Sequence, residues 1–139
     1  MENKLLLSIV TPERPLVENK PVDFAVLPAY EGEMGILPGH ISFVVQLKEG
    51  ILRYREGSAE EYFSVHGGFA EIHGGRISVF AETGELAKEI DEERARQSYQ
   101  KAKDALSMRG EDIDLDSAQA ALRRAAVRLK IAELKKRRK

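Results

Sequence analysis

Three histidines, His40, His66 and His73, are the side chains of this 139-residue chain best suited to proton transfer or metal ligation near neutral pH. They form no HExxH, no pair at helical i,i+4 spacing and no recognisable triad, so no metal site is expected. If one strand carries both His66 and His73, their odd separation places them on opposite faces, as ordinary strand or turn histidines. The glycines of "GEMGILPGH", residues 32–40, suggest a phosphate cradle. They lack the lysine and the Ser/Thr of a P-loop and open no helix, which removes that reading. Carboxylates are plentiful, yet none stand in a recognisable pair, and the sequence offers no catalytic residue. Cysteine is absent, which excludes disulfides and thiolate metal sites.

The same nine residues suit a contact loop. Pro38-Gly39 favours a tight turn, of type II if Gly39 takes a positive φ, and such a turn presents Ile36 and Leu37. The competing expectation is that at least one of the two folds back into a core. With 42% apolar residues the chain can build one. Aromatics make up 6% and tryptophan is absent, so platforms for stacking bases have little to be built from. No segment approaches the roughly 20 apolar residues of a bilayer span, and the three leucines after Lys4 fall short of a signal h-region.

The elements that must hold these residues change character along the chain. From Leu5 to Ala81 short β-branched runs alternate with Gly and Pro: Leu5 to Val10, Val22 to Leu27, Ile41 to Leu47, Ile51 to Tyr54, Tyr62 to Ile72 and Arg76 to Ala81. His73-Gly74-Gly75-Arg76 predicts a two-residue hairpin turn, since glycine takes positive φ cheaply at both central positions. Ile77, Val79 and Ala81 alternate with Ser78 and Phe80 as a half-buried strand does. The expected class is a β-sandwich over 1–84 followed by an antiparallel two-helix hairpin over 85–139. Asp91 is the expected N-cap of a first helix running to about Met108, stopped by Arg109-Gly110. Asp114 or Asp116 caps the second, whose Leu115, Ala118, Leu122, Ala125, Leu129 and Ala132 form a Leu/Ala seam facing Ala95, Ala102, Ala105 and Leu106. Charge divides likewise: residues 121–139 hold nine Lys/Arg against Glu133 alone, a basic pole on an otherwise acidic chain. Nucleic acid is a poor partner for so short a run without stacking aromatics.

"GEMGILPGH", then "HGGFAEI" at 66–72, then "IDEERA" at 90–95 opening an Ala-rich hairpin, resembles the epsilon subunit of F-type ATP synthases over essentially the whole chain. Ser42 and His66 depart from that family's pattern, which more often has proline and a small residue there. The resemblance implies a sandwich of about ten strands and a place at the foot of the central stalk, against the gamma subunit and the c-subunit ring. It implies no catalysis and no obligatory cofactor. Glu31, Glu33 and His40 then frame the ring-contact loop. The resemblance also implies that the hairpin permits ATP hydrolysis when folded down and inhibits it when extended into the alpha and beta subunits. There the basic residues Arg123, Arg124, Arg128 and Lys130 suit acidic surface on beta. Some bacterial members of the family bind ATP as a regulatory ligand through a motif matched here by Ile90, Asp91, Arg94 and Ala95. Glu85, Arg124 and Arg128 accompany it, and Lys101 stands where those members have arginine. Arg124 and Arg128 are one helical turn apart on one face, where two guanidinium forks converge on phosphates. The expected location is peripheral, on the cytoplasmic face of a bacterial cell membrane, without insertion. Lack of a transit-like extension suggests a bacterial or organelle-encoded chain. Without the resemblance, the same elements describe a small β-sandwich binding module with a helical dimerisation hairpin.

Overall fold

The computed structural model describes residues 4–39, 42–107 and 114–137. The chain divides into two compact units, Met1–Leu86 and Ala87–Lys139. The first holds eight strands: β1 (Leu5–Val10), β2 (Pro15–Val22), β3 (Phe24–Ala29), β4 (Gly32–Ile36), β5 (Phe43–Gln46), β6 (Gly50–Glu56), β7 (Ala59–His73) and β8 (Arg76–Leu86). They join in the order β2-β1-β8-β7-β6-β3-β4, with β5 on β7.

Two long strands make this one sheet into two layers. The first half of β7 pairs with β6, from Gly50↔Val65 to Glu56↔Ala59, and its second half pairs with β5, from Phe43↔Ile72 to Gln46↔Phe69. β8 follows β7 along its whole length. The change of partner falls at Gly67 and Gly68, both at positive φ (73° and 103°). Because β7 and β8 each serve both layers, eight strands among the described residues do the work of the ten expected from the family.

Strand alternation fills the space between the layers. Leu5, Leu7 and Ile9 of β1, Ile77, Val79 and Ala81 of β8, and Ala70 and Ile72 of β7 point inward. They meet Ala25 and Leu27 of β3, Leu52 and Tyr54 of β6, Phe63 and Val65 of β7, and Ile36 of β4 in one core. The predicted Gly74-Gly75 turn is present, with φ of 58° and 77°.

Two strand expectations need correction. Val22 to Leu27 is not one strand: Val22 ends β2, and β3 starts after Asp23. "GEMGILPGH" is not one loop either, since residues 32–36 pair with β3 from Ala29↔Gly32 to Ala25↔Ile36.

The second unit begins with a single 3-10 turn, Ala87–Glu89, followed by α1 (Glu92–Ser107) and α2 (Leu115–Arg137). Asp91 caps α1, its Oδ1 accepting the Arg94 amide at 3.2 Å, and Asp114 caps α2 by accepting the Ser117 amide at 3.1 Å. The expected stop of α1 at Arg109-Gly110 lies outside the described residues. The helices run antiparallel, Lys136 near the end of α2 meeting Glu92 at the start of α1, and Ala95 and Ala102 of α1 and Ala125, Ile131 and Ala132 of α2 are buried. Of the predicted seam, Ala125 and Ala132 are buried, and Leu115 at its predicted start is exposed. Among the described residues no helix is long and apolar enough to cross a membrane.

Candidate functional site

Strand β4 separates what the sequence reading grouped. Glu31 sits exposed in the turn between β3 and β4, Glu33 is exposed within β4, and the Leu37-Pro38-Gly39 turn lies at the strand's far end. At about 3.3 Å per residue, the two ends are about 13 Å apart. His40 lies outside the described residues. Gly39 has φ 85°, as a type II turn requires. The apolar pair divides: Ile36 is 0% exposed in the core and Leu37 is 62% exposed.

His66 and His73 both belong to β7 and face opposite ways. His66 is buried, while His73 ends the strand exposed, its Nδ1 3.0 Å from Ser42 Oγ.

A surface the sequence reading did not single out crosses the outside of one layer. Phe69 and Phe80 are cross-strand partners with ring centroids 5.0 Å apart, 47% and 42% exposed, and Val44 on neighbouring β5 is 64% exposed. Val10 of β1 pairs with Phe80 on the other side and is half-buried. The signal was legible in part: Phe80 stood on the polar side of the Ile77, Val79, Ala81 alternation.

At the far end of the β6–β7 hairpin, Glu60 receives Arg53 Nη1 and Arg55 Nη2, each at 3.2 Å. Burial pushes its carboxyl up, but the two guanidinium hydrogen bonds outweigh that and hold it below the usual range.

The residues predicted to hold a nucleotide fall into three places. Glu85 is half-buried near the end of β8, in the sandwich unit, where it accepts Ser64 Oγ at 3.2 Å. On α1, Asp91, Arg94, Ser98 and Lys101 recur at threes and fours along one stripe, beside buried Ile90 and Ala95. On α2, Arg124, Arg128, Ile131 and Lys135 form another stripe. Ile131 on that stripe is buried, and Lys135 reaches the start of α1. Arg124 and Arg128 are half-buried, whereas Arg123 and Lys130 are exposed on a different face.

Contacts fix the relative height of these stripes. Lys136 meets Glu92 at 2.9 Å, so Arg128, eight residues back, lies level with Gln100 and Lys101, about 12 Å along the axis from Glu92. Asp91 and Arg94 thus mark one end, and Lys101, Arg124 and Arg128 lie two to three turns away. An open cavity of about 500 Å³ lies between the helices, lined by Ser98, Lys101 and Ala102 from α1, by the capping Asp114, and by Ser117 and Ala121 from α2. The hydrogen bond from Lys136 holds the Glu92 carboxyl below its usual range, and Arg96 adds to the effect.

Comparison with known proteins agrees with this division. Residues 4–87 match the family model for the ATP synthase delta/epsilon chain beta-sandwich domain, and residues 88–133 match the model for its long alpha-helix domain. The chain is 44% identical to the ATP synthase epsilon chain of Desulforamulus reducens over 91% of its own length and 96% of the relative's. It is 43% identical to that of Symbiobacterium thermophilum, covering 91% of each. A chain in the cryo-EM structure of the Euglena gracilis mitochondrial ATP synthase, solved with OSCP, F1 and c-ring, aligns with TM-score 0.82 at 25% identity, over 95% of this chain and 82% of that one. A sandwich and a helical hairpin, matched in order along almost the whole sequence, place this chain in the family of F-type ATP synthase epsilon chains.

Proposed function

We propose that the chain couples the gamma subunit to the c-subunit ring at the foot of the central stalk, and that its helical unit restrains ATP hydrolysis. The observation that carries this reading is the apolar band of Val44, Phe69 and Phe80 on a sandwich whose other large apolar side chains are mostly in the core. Two stacked, half-exposed phenylalanines on a flat sheet face are what a permanent protein partner covers, and gamma is that partner. Glu31 and Glu33, exposed at and beside the β3–β4 turn, offer carboxylates to basic loops of the ring. The solved Euglena assembly contains F1 and c-ring, which supports the same placement. In this reading the chain performs no chemistry, needs no cofactor and sits peripherally on the cytoplasmic face of the membrane.

The basic pole serves regulation. Arg123 and Lys130 are exposed on α2, while Arg124 and Arg128 are half-buried in the folded hairpin. Extension of the helices uncovers Arg124 and Arg128 as well and so offers all four to acidic surface on the beta subunits, where long-range attraction speeds docking.

One arrangement favours a second role, regulatory ATP binding to the folded hairpin. The separation between Asp91 and Arg94 at one end and Lys101, Arg124 and Arg128 two to three turns on, with Lys101 the member of this set that lines the open cavity, suits a nucleotide laid along the helices. Its base rests near Ile90, Asp91 and Ala95, and its phosphates among the cations. Lysine at position 101 keeps the charge and gives up bidentate geometry.

Two experiments test the inhibitory and nucleotide roles separately. Catalytic alpha, beta and gamma subunits are combined with the full chain or with a chain ending at Asp114, and hydrolysis is read at low ATP concentration. The shortened chain is expected to give several-fold faster hydrolysis, and equal rates overturn the inhibitory role. Calorimetric titration of ATP into the isolated chain is expected to give heat that weakens at least about tenfold in affinity for Arg124→Ala or Arg128→Ala. A wild-type chain that evolves no heat overturns the nucleotide role alone.

A further inference from the structure

The two helices of the second unit are joined in sequence between Ser107 and Asp114, so the ends at Glu92 and Arg137 have no short covalent link. Something else must hold that end closed. An isolated pair of helices packed through alanines buries little apolar area and leans on such contacts.

Adjacent lysines at the end of α2 do this from two sides. Lys135 Nζ donates to the Ala87 carbonyl at 2.8 Å and approaches the Ile90 carbonyl at 3.4 Å. The Ala87 carbonyl opens the 3-10 turn and also accepts the Ile90 amide at 3.1 Å, while Ile90 follows the turn, and a cation strengthens hydrogen bonds to such carbonyl oxygens. Lys136 Nζ donates to Glu92 Oε1 at 2.9 Å, and that oxygen also accepts Arg96 at 2.7 Å. The chain is thus gripped immediately before and immediately after the Asp91 cap. The two contacts differ in strength. Lys135 is half-buried against carbonyls and weakly screened, whereas the Lys136 side chain is 67% exposed and its ion pair is weakened by salt.

We propose that Lys135 and Lys136 form a latch that closes the open end of the helical hairpin onto the entry of α1, and that the hairpin opens only when both contacts break. The closed latch occupies two cations of the basic pole internally. Opening releases them together, so any acidic surface that attracts the pole also competes for the latch. The inference stands on the geometry of the helical unit and does not require the nucleotide or inhibitory roles.

Hydrogen exchange on the isolated full-length chain, without ATP or other subunits, tests it. Lys135→Met keeps the side chain's apolar stem and removes the cation. Amides in the first turns of α1 and the last turns of α2 are expected to exchange about tenfold faster in that variant. Amides of β7 and β8 keep their wild-type rates, which separates latch opening from general unfolding. Lys135→Arg restores slow exchange. Glu92→Gln and Lys136→Gln each raise the rate modestly, and the double variant adds little to either. Raising sodium chloride from low to high concentration accelerates exchange in the wild type and leaves Lys136→Gln nearly unchanged. Wild-type exchange rates in Lys135→Met, or a wild-type rate indifferent to salt, overturn the latch.

Discussion

Gly68 is where two strands pass so closely that no side chain fits. A Cβ placed there lies 2.0 Å from the Phe80 carbonyl oxygen and 2.9 Å from the Ala81 Cα, on backbone at φ 103°. Backbone atoms held in a ladder do not yield as a flexible side chain does. Gly68→Ala is therefore expected to cost roughly 3 kcal/mol or more, read as a lower urea midpoint at an unchanged slope. Relief of the clash would have to separate β7 from β8, so the loss should also appear as faster exchange of amides on both strands. Residue-scale features were legible where the governing contact is local. The Asp91 cap and the Gly74-Gly75 turn follow from neighbours in sequence. Lys135 was visible only as one member of a basic run, because its partners at Ala87 and Ile90 stand 48 and 45 residues away.

Among elements, helices were easier to read than strands. The hairpin announces itself by composition and by leucine and alanine at threes and fours, whereas β4 hides behind the glycines of "GEMGILPGH". Local preference there says turn, and pairing with β3 overrides it. β2 hides for a related reason. Two prolines, Asn19 at φ 47° and breaks of register after Leu7 and Ile9 erase its alternation, and these same features protect an edge strand from pairing with another chain. The candidate site was legible as a set of residue types; its spread over two to three helical turns was not, since that depends on how α2 is set against α1. Alanine sets that closeness. Ala125 is 0% exposed in the seam, and Ala125→Leu adds volume where there is none. The substitution is expected to cost about 1–3 kcal/mol and to lower the melting temperature of the helical signal, followed by circular dichroism at 222 nm in the full chain.

For the molecule as a whole, every member of the large apolar core belongs to residues before Ala87. A fragment of residues 1–86 is expected to fold cooperatively by itself, with the β-sheet circular dichroism spectrum and a single urea transition; a fragment without a transition would show that the sandwich needs its helices. Shortening it further should have a much larger effect, for a reason of topology. β1 pairs in parallel with β8, from Leu6↔Arg76 to Val10↔Phe80, so the first strand of the unit takes its place beside the last. During synthesis the opening residues leave the ribosome long before the strand that flanks them exists. Until β8 emerges, β1 has only β2 to hold. The sandwich therefore closes only once β8 has emerged, with the basic helices still to be made, so the two units of the chain are born in sequence: the sheet first, the helices afterwards.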